Sequence, residues 1–366
     1  MNQDLIRFAA QLRELIAAPQ TNLGPAQFSA LALELFGLQF THNPAYRKIC
    51  EGRRLTPATV THWTQIPAVP AAAFKELEMT SLAPAGRTAA FHSSGTTEQK
   101  PGRHFHSAAS LAVYEASLWP WFQKNVLAAG DGWRMADGPL VFLSPPLAQV
   151  PHSSLVHMFE TVRQKLGAAE TAFVGRLAAD GSWTLDFATV VDRLASGGPT
   201  RGAQPWLLLG TAFSLVHLLD YLADAQLHFI LPAGSRVMET GGYKNRSRSM
   251  PKAELHAFIT ERLGVSRENI ICEYGMSELS SQAYDTGSRS RVFRFPPWAR
   301  VQIISPETGR EVAEGETGLI RILDLANVYS VAAIQTEDLG ILRGDGFELV
   351  GRAPRAEPRG CSLMTA

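Results

Sequence analysis

Apolar side chains recur at helical spacing over residues 3 to 18 and again over 25 to 37, with Pro19 and Pro25 between, so the chain opens on predicted helices. The Ile66-Pro67-Ala68-Val69-Pro70 stretch reads as extended and leads into a short helix over residues 71 to 75. A polar loop follows Phe91, and a helical pattern then covers residues 107 to 127. Short apolar runs at 140 to 143, 206 to 209 and 270 to 272 predict buried strands, with helical patterns at 153 to 165 and 213 to 225 between them. That alternation predicts an α/β core. From about Phe293 the pattern changes to alternating strands, such as 299 to 304 and 318 to 322, separated by Pro and Gly turns. The expected organisation is a helical segment over 1–60, an α/β core over 61–290 and a small β subdomain over 291–366.

Composition narrows the field. The chain has 366 residues, 45% hydrophobic, enough to bury a large core. Its 34 basic and 34 acidic residues cancel, so no overall field draws it to nucleic acid or anionic lipid, and any anion site must be local. Cys50, Cys272 and Cys361 show neither zinc spacing nor a disulfide framework. No signal peptide or membrane span is expected. These features predict a reduced, cytoplasmic protein.

Three motifs carry candidate chemistry. In His92-Ser93-Ser94-Gly95-Thr96-Thr97-Glu98-Gln99-Lys100-Pro101-Gly102-Arg103, hydroxyls and backbone N–H groups around a glycine can converge on phosphate oxygens, with Lys100 or Arg103 adding charge. The same residues would also make a solvated turn. Glu273-Tyr274-Gly275-Met276-Ser277-Glu278 follows an apolar run and would reach the carboxyl edge of a sheet. There Tyr274 could stack on a base and Glu278 could hold Mg²⁺, or the segment could be an ordinary strand-to-helix turn. Gln335-Thr336-Glu337-Asp338-Leu339-Gly340, followed by Gly351-Arg352, offers a carboxylate for ribose hydroxyls beside an arginine, or an acidic turn between strands.

Taken in order, these motifs resemble those of adenylate-forming enzymes over roughly residues 60 to 361. More closely, the chain resembles the acyl-protein synthetase family, which includes the fatty-acyl ligase component of the bacterial luminescence fatty acid reductase. Gly210-Thr211-Ala212-Phe213, Glu239-Thr240-Gly241-Gly242-Tyr243-Lys244, Asp324-Leu325-Ala326-Asn327 and Arg359-Gly360-Cys361-Ser362-Leu363 also carry the resemblance. It implies that Ser93, Ser94, Gly95, Thr96 and Thr97 bind ATP phosphates, and that Tyr274, with Gly275 and Ser277, faces adenine. Glu278 would coordinate Mg²⁺, Asp338 would hold the ribose with Arg352 beside it, and Lys100, Lys244 and Arg246 would assist with charge. Two departures stand out: Glu98 replaces a small residue, and Lys100 precedes Pro101 rather than following it. The resemblance also leads us to expect no separate C-terminal lid domain, so the chain would adenylate slowly without one, use a lysine of its main domain or borrow a partner's.

Cys361 is the candidate acyl acceptor. In the family a cysteine near the C-terminus takes the acyl group as a thioester, and Arg355 and Arg359 would favour its thiolate. It could instead be a small packed residue, with the acyl group passing to coenzyme A or a carrier-protein pantetheine thiol. Cys272, in an apolar strand, reads as buried packing. His104 and His106 read as a strand face rather than a metal pair, and His152 and His157 as packing near the acyl pocket. The expected function is activation of a fatty or aryl carboxylic acid to an acyl-adenylate, followed by thioester formation on Cys361 and discharge to a partner enzyme or carrier. A non-catalytic acyl- or nucleotide-binding subunit is the alternative of a different class.

Overall fold

A computed structural model describes residues 2–18, 22–93, 100–127, 138–168, 170–179, 181–196, 204–241, 250–285 and 291–353. Three helices come first. α1 (Gln3–Ala17) starts where the Asn2 side chain accepts from the Asp4 N–H, and it buries Leu5, Phe8, Leu12 and Ile16 along one face. α2 (Pro25–His42) continues five residues past the predicted end, burying Gln39 beyond Gly37 and ending where Asn43 turns extended. Asn43 then caps α3 (Pro44–Gly52), with Pro44 in its first turn.

β1 (Val69–Pro70) and the short α4 (Ala73–Glu76) lead to a hairpin, β2 (Ala89–His92) and β3 (Arg103–His106). α5 (Ala108–Phe122) follows, capped by Ser107. Next come β4 (Leu140–Leu143), α6 (Ser154–Leu166), β5 (Thr171–Phe173) and a second hairpin of β6 (Gly175–Leu177) and β7 (Trp183–Leu185). After α7 (Phe187–Ser196), the chain alternates β8 (Leu207–Thr211), α8 (Ala212–Asp224), β9 (Arg236–Thr240), α9 (Lys252–Leu263), β10 (Ile270–Tyr274) and β11 (Ala283–Asp285). The last described stretch is β12 (Ala299–Ile304), β13 (Thr317–Asp324), β14 (Ala333–Arg343) and β15 (Gly346–Arg352).

Two large sheets organise these elements. One has the order β11-β10-β9-β8-β4-β5, parallel except for β11. Its central strands are buried on both faces, as helices on each side require. Chain order reverses at β4, with β5 on one side and β8 on the other, and ligands of open α/β sheets bind outside the carboxyl ends at such a point. The second sheet runs β1-β14-β13-β12, with β15 also on β14. Because Val69 pairs with Ile334 in a parallel register, this sheet is closed by a strand from far upstream. The N-terminal helices share its core: Phe8, Leu12, Phe28 and Phe36 join one cluster with Ile303, Ile320, Ile322 and Ile334.

Candidate active site

The hydroxyl-rich loop is the tip of the β2–β3 hairpin. Its base is fixed by a reciprocal pair: the Ser93 N–H donates to the Gly102 carbonyl at 2.9 Å, and the Gly102 N–H donates to Ser93 Oγ at 2.8 Å. Ser94, Gly95, Thr96 and Thr97 lie outside the described residues. Lys100 is exposed at the end of the loop. Arg103 stacks over Phe105 and lies 3.9 Å from Glu78, so its charge stays beside the hairpin.

That base touches Glu278. A Cβ on Gly102 would lie 2.9 Å from Ser93 Oγ and 3.3 Å from Glu278 Oε1, so only glycine lets the hairpin come this close. The Ser277 hydroxyl donates to Glu278 Oε2 at 3.0 Å. Burial pushes the Glu278 carboxyl up, while Ser277 and the more distant charges of Lys75 and Arg352 pull it down. His104 ties the turn to the hairpin through its Nδ1, which donates to the Ser277 carbonyl at 2.9 Å. Burial holds His104 neutral, with its pKa lowered to about 4.

The Asp324-Leu325-Ala326-Asn327 segment holds the residues after Glu278. Asp324 Oδ2 accepts from the Ser280 and Ser281 N–H groups at 3.0 and 2.8 Å, and Oδ1 accepts from the Ser281 hydroxyl and the Ala326 N–H. The Asn327 amide donates to the Glu278 carbonyl at 2.9 Å. These partners decide where Glu278 points. Reading the sequence brought out the segment but assigned these two residues no role.

Tyr274, Asp338 and Arg352 come together across 64 residues of sequence or more. The Tyr274 hydroxyl donates to Asp338 Oδ2 at 2.8 Å, and Arg352 Nε lies 3.6 Å from Asp338 Oδ1. The second contact follows from register, since Asp338 on β14 pairs with Arg352 on β15. Burial raises the Asp338 carboxyl, and Tyr274 and Arg352 oppose it. The Tyr274 ring is buried edge-on against Phe293, Phe295 and Phe347 at 5.2 to 6.3 Å, with its hydroxyl committed to Asp338. Both groups lie beyond the carboxyl end of β10, since Tyr274 is its last residue and Glu278 follows four residues later.

Lys244, Arg246, Arg355, Arg359 and Cys361 also lie outside the described residues. His104 and His106 are buried on β3, their rings 4.2 Å apart. His152 stacks on His92, and His157 Nε2 lies 3.2 Å from Glu115. Sequence reading missed Glu273, buried on β10 and bound by the Thr240 hydroxyl. A carboxylate inside an apolar strand was the available signal. It also missed a small apolar cleft at the reversal point of the sheet, lined by Leu143, Trp183, Leu185, Phe187 and Phe213.

The family model described as acyl-protein synthetase, LuxE, matches residues 144–366, more than half of the chain. The chain belongs to the acyl-protein synthetase family. The chain is 28% identical over 173 residues to the long-chain-fatty-acid–luciferin-component ligase of Aliivibrio fischeri, a match covering 43% of this chain and 44% of that protein. The corresponding ligase of Vibrio harveyi is 24% identical over 166 residues, covering 43% of each chain. Less than half of each relative's length is therefore matched. Among solved structures, a 2-hydroxyisobutyryl-CoA ligase in the postadenylation state superposes with a TM-score of 0.67 at 14% identity, covering 90% of this chain and 67% of that one. The chain thus has the α/β fold of that ligase.

Proposed function

We propose that this acyl-protein synthetase activates a hydrophobic carboxylic acid, fatty or aryl, with ATP and passes the acyl group to the thiol of its own Cys361. The observation that carries this reading is the contact of Tyr274 and Arg352 with Asp338, beside the turn that bears Glu278 after the carboxyl end of β10, in a chain of this family. In the reading, Ser93 to Thr97 cradle the phosphates, and Asp338, oriented by Tyr274, accepts from the ribose hydroxyls. Glu278 turns a carboxylate oxygen toward the base of the loop, which suits Mg²⁺, a cation that takes one or two carboxylates and fills its shell with phosphate and water oxygens. When bound, magnesium supplies charge neutralisation at the phosphates. Lys100 and Lys244 add positive charge nearby.

In the first step a carboxylate oxygen of the acid bonds to the α-phosphorus, and pyrophosphate leaves. In the second, the Cys361 thiolate attacks the acyl carbon, the bond to AMP breaks, and the thiol proton passes to solvent. Holding the reactants in line is the main contribution a protein makes to such chemistry. The apolar cleft lies on the same sheet edge as Tyr274 and is the candidate site for the hydrocarbon part of the acid. No described helix is long and apolar enough to cross a membrane. We place the enzyme in the cytoplasm, discharging to a partner enzyme or carrier.

The test is intact-protein mass spectrometry after incubation with Mg-ATP and a panel of fatty and aryl acids, for wild type and Cys361→Ser. A hydroxylamine-labile acyl adduct, lost in the variant, is expected. Pyrophosphate release without an adduct would move the acceptor to coenzyme A or a carrier thiol. No release at all would leave the non-catalytic binding reading.

A further inference from the structure

A second cluster lies between β9, β10 and α9. Glu239 and Cys272 are direct register partners on the two parallel strands, and His256 comes from the helix above them. All three are buried, at 2%, 0% and 1% exposure. His256 Nε2 lies 3.5 Å from Glu239 Oε1 and 3.7 Å from Cys272 Sγ, and the three donor atoms lie within 4.8 Å of one another.

The two spacings from His256 are close to those of a coordination shell, and the Glu239–Cys272 spacing is no more than 4.8 Å. A tetrahedral cation with bonds of about 2.0–2.3 Å to nitrogen, oxygen and sulfur separates its ligands by about 3.4–3.6 Å. Glu239 Oε1 is buried, and its neighbours are the Lys252 ammonium at 3.3 Å and His256 Nε2 at 3.5 Å, so a cation bound here would take over the role of the ammonium. His256 Nδ1 has no partner among the described residues, and ligation through Nε2 requires the tautomer that carries its proton on Nδ1. We propose that Glu239, His256 and Cys272 form a tetrahedral site for a zinc-class divalent cation, separate in ligand chemistry from the all-oxygen surroundings of Glu278. Thiolate and imidazole select zinc over magnesium.

Three other charges face the cluster. Lys252 Nζ lies 3.3 Å from Glu239 Oε1 and rests over the Phe293 ring, and its side chain, 41% exposed, has a path outward. Asp285 accepts from the Cys272 N–H at 2.8 Å and pairs with Arg291 at 3.3 Å, and Arg291 also reaches Cys272 Sγ at 3.8 Å. With Lys252 turned out, a dication and Arg291 balance Glu239, Asp285 and a Cys272 thiolate. In its absence the Lys252 ammonium fills the cationic position, while burial and Glu239 push the Cys272 thiol up. The metal would tie together the two strands that deliver Thr240 and Tyr274 to the carboxyl edge.

The experiment loads the full chain, stripped with a chelator, with Co²⁺ and records its spectrum, followed by Zn²⁺ displacement and metal analysis after desalting. A thiolate-to-cobalt charge-transfer band and about one zinc per chain are expected. The band should survive Cys50→Ser and Cys361→Ser and vanish in Cys272→Ser. Lys252→Met, which removes the competing ammonium, should bind zinc about tenfold more tightly, and an unchanged affinity would count against the displacement. Should Cys272→Ser fail to fold, wild type alone decides: no cobalt–thiolate band, with zinc well below stoichiometry, overturns the site.

Discussion

Glu273 shows how a single side chain can set the pH response. It is buried on β10, and loss of hydration pushes its carboxyl up to about 7; the Thr240 hydroxyl opposes the shift and the charge of Glu239 adds to it. A carboxyl raised in the folded state contributes stability that is complete below its unfolded value, near 4.5, and is lost as pH rises through about 7. Glu273→Gln removes that loss. The variant should match wild type near pH 4 and exceed it above neutrality by on the order of 2 kcal/mol, as read from urea midpoints across pH. A constant difference would show that packing, not ionisation, governs the site. Tyr274→Phe tests a neighbouring residue, because it removes the donor that fixes Asp338. The KM for ATP should rise roughly five- to tenfold with kcat little changed, the loss of one hydrogen bond to a charged group.

At the scale of the element, the β2–β3 hairpin works because its base is narrow. Gly102→Ala puts a methyl 2.9 Å from Ser93 Oγ and forces Ser93 or Glu278 to shift. Acid-dependent pyrophosphate release should fall about tenfold while the melting temperature barely changes, since a misplacement of about 1 Å can cost that much in rate. Equal loss of both would make Gly102 a folding residue only. Asp324→Ala should differ: four donors lose their acceptor, and a loss of roughly 3 kcal/mol is expected in urea. The loop, the strand at 270 and the paired strands after 293 were legible because each is a local pattern of polarity. So were the helices with long apolar faces. α3 was not, because its nine residues bury only Tyr46 and Cys50, leaving Asn43-Pro44 as its signal. β5, β6 and β7, three residues each, are too short for any period to show. Tyr274 and Asp338 were each legible, but their contact depends on how separate sheets meet. A local pattern carries no such information.

Across the whole molecule, the N-terminal helices reach the candidate site through a chain of hydrogen bonds. Gln39, 1% exposed near the end of α2, donates to the Asn327 carbonyl at 2.8 Å and accepts from the Ala332 N–H at 3.0 Å. Asn327 in turn donates to the Glu278 carbonyl. Asn43, next along, donates to the Ser330 carbonyl at 3.3 Å. The 325–332 loop therefore sits between the first helices and the carboxylate assigned to magnesium, inside the one core that α1, α2 and the second sheet share. Gln39→Leu preserves the apolar contacts but strands the Ala332 N–H and the Val328 carbonyl, which Gln39 also reaches at 3.3 Å, while the Asn327 carbonyl keeps the Ser330 N–H; at about 1–2 kcal/mol each, about 2–4 kcal/mol should be lost in urea unfolding. If the loop also positions Glu278, the same variant raises the KM for Mg-ATP even well below its unfolding midpoint, although residue 39 touches no site residue directly. A stability loss with unchanged KM would mean that Asn327 keeps its place without Gln39, and that the helices stabilise the sheet without tuning the chemistry.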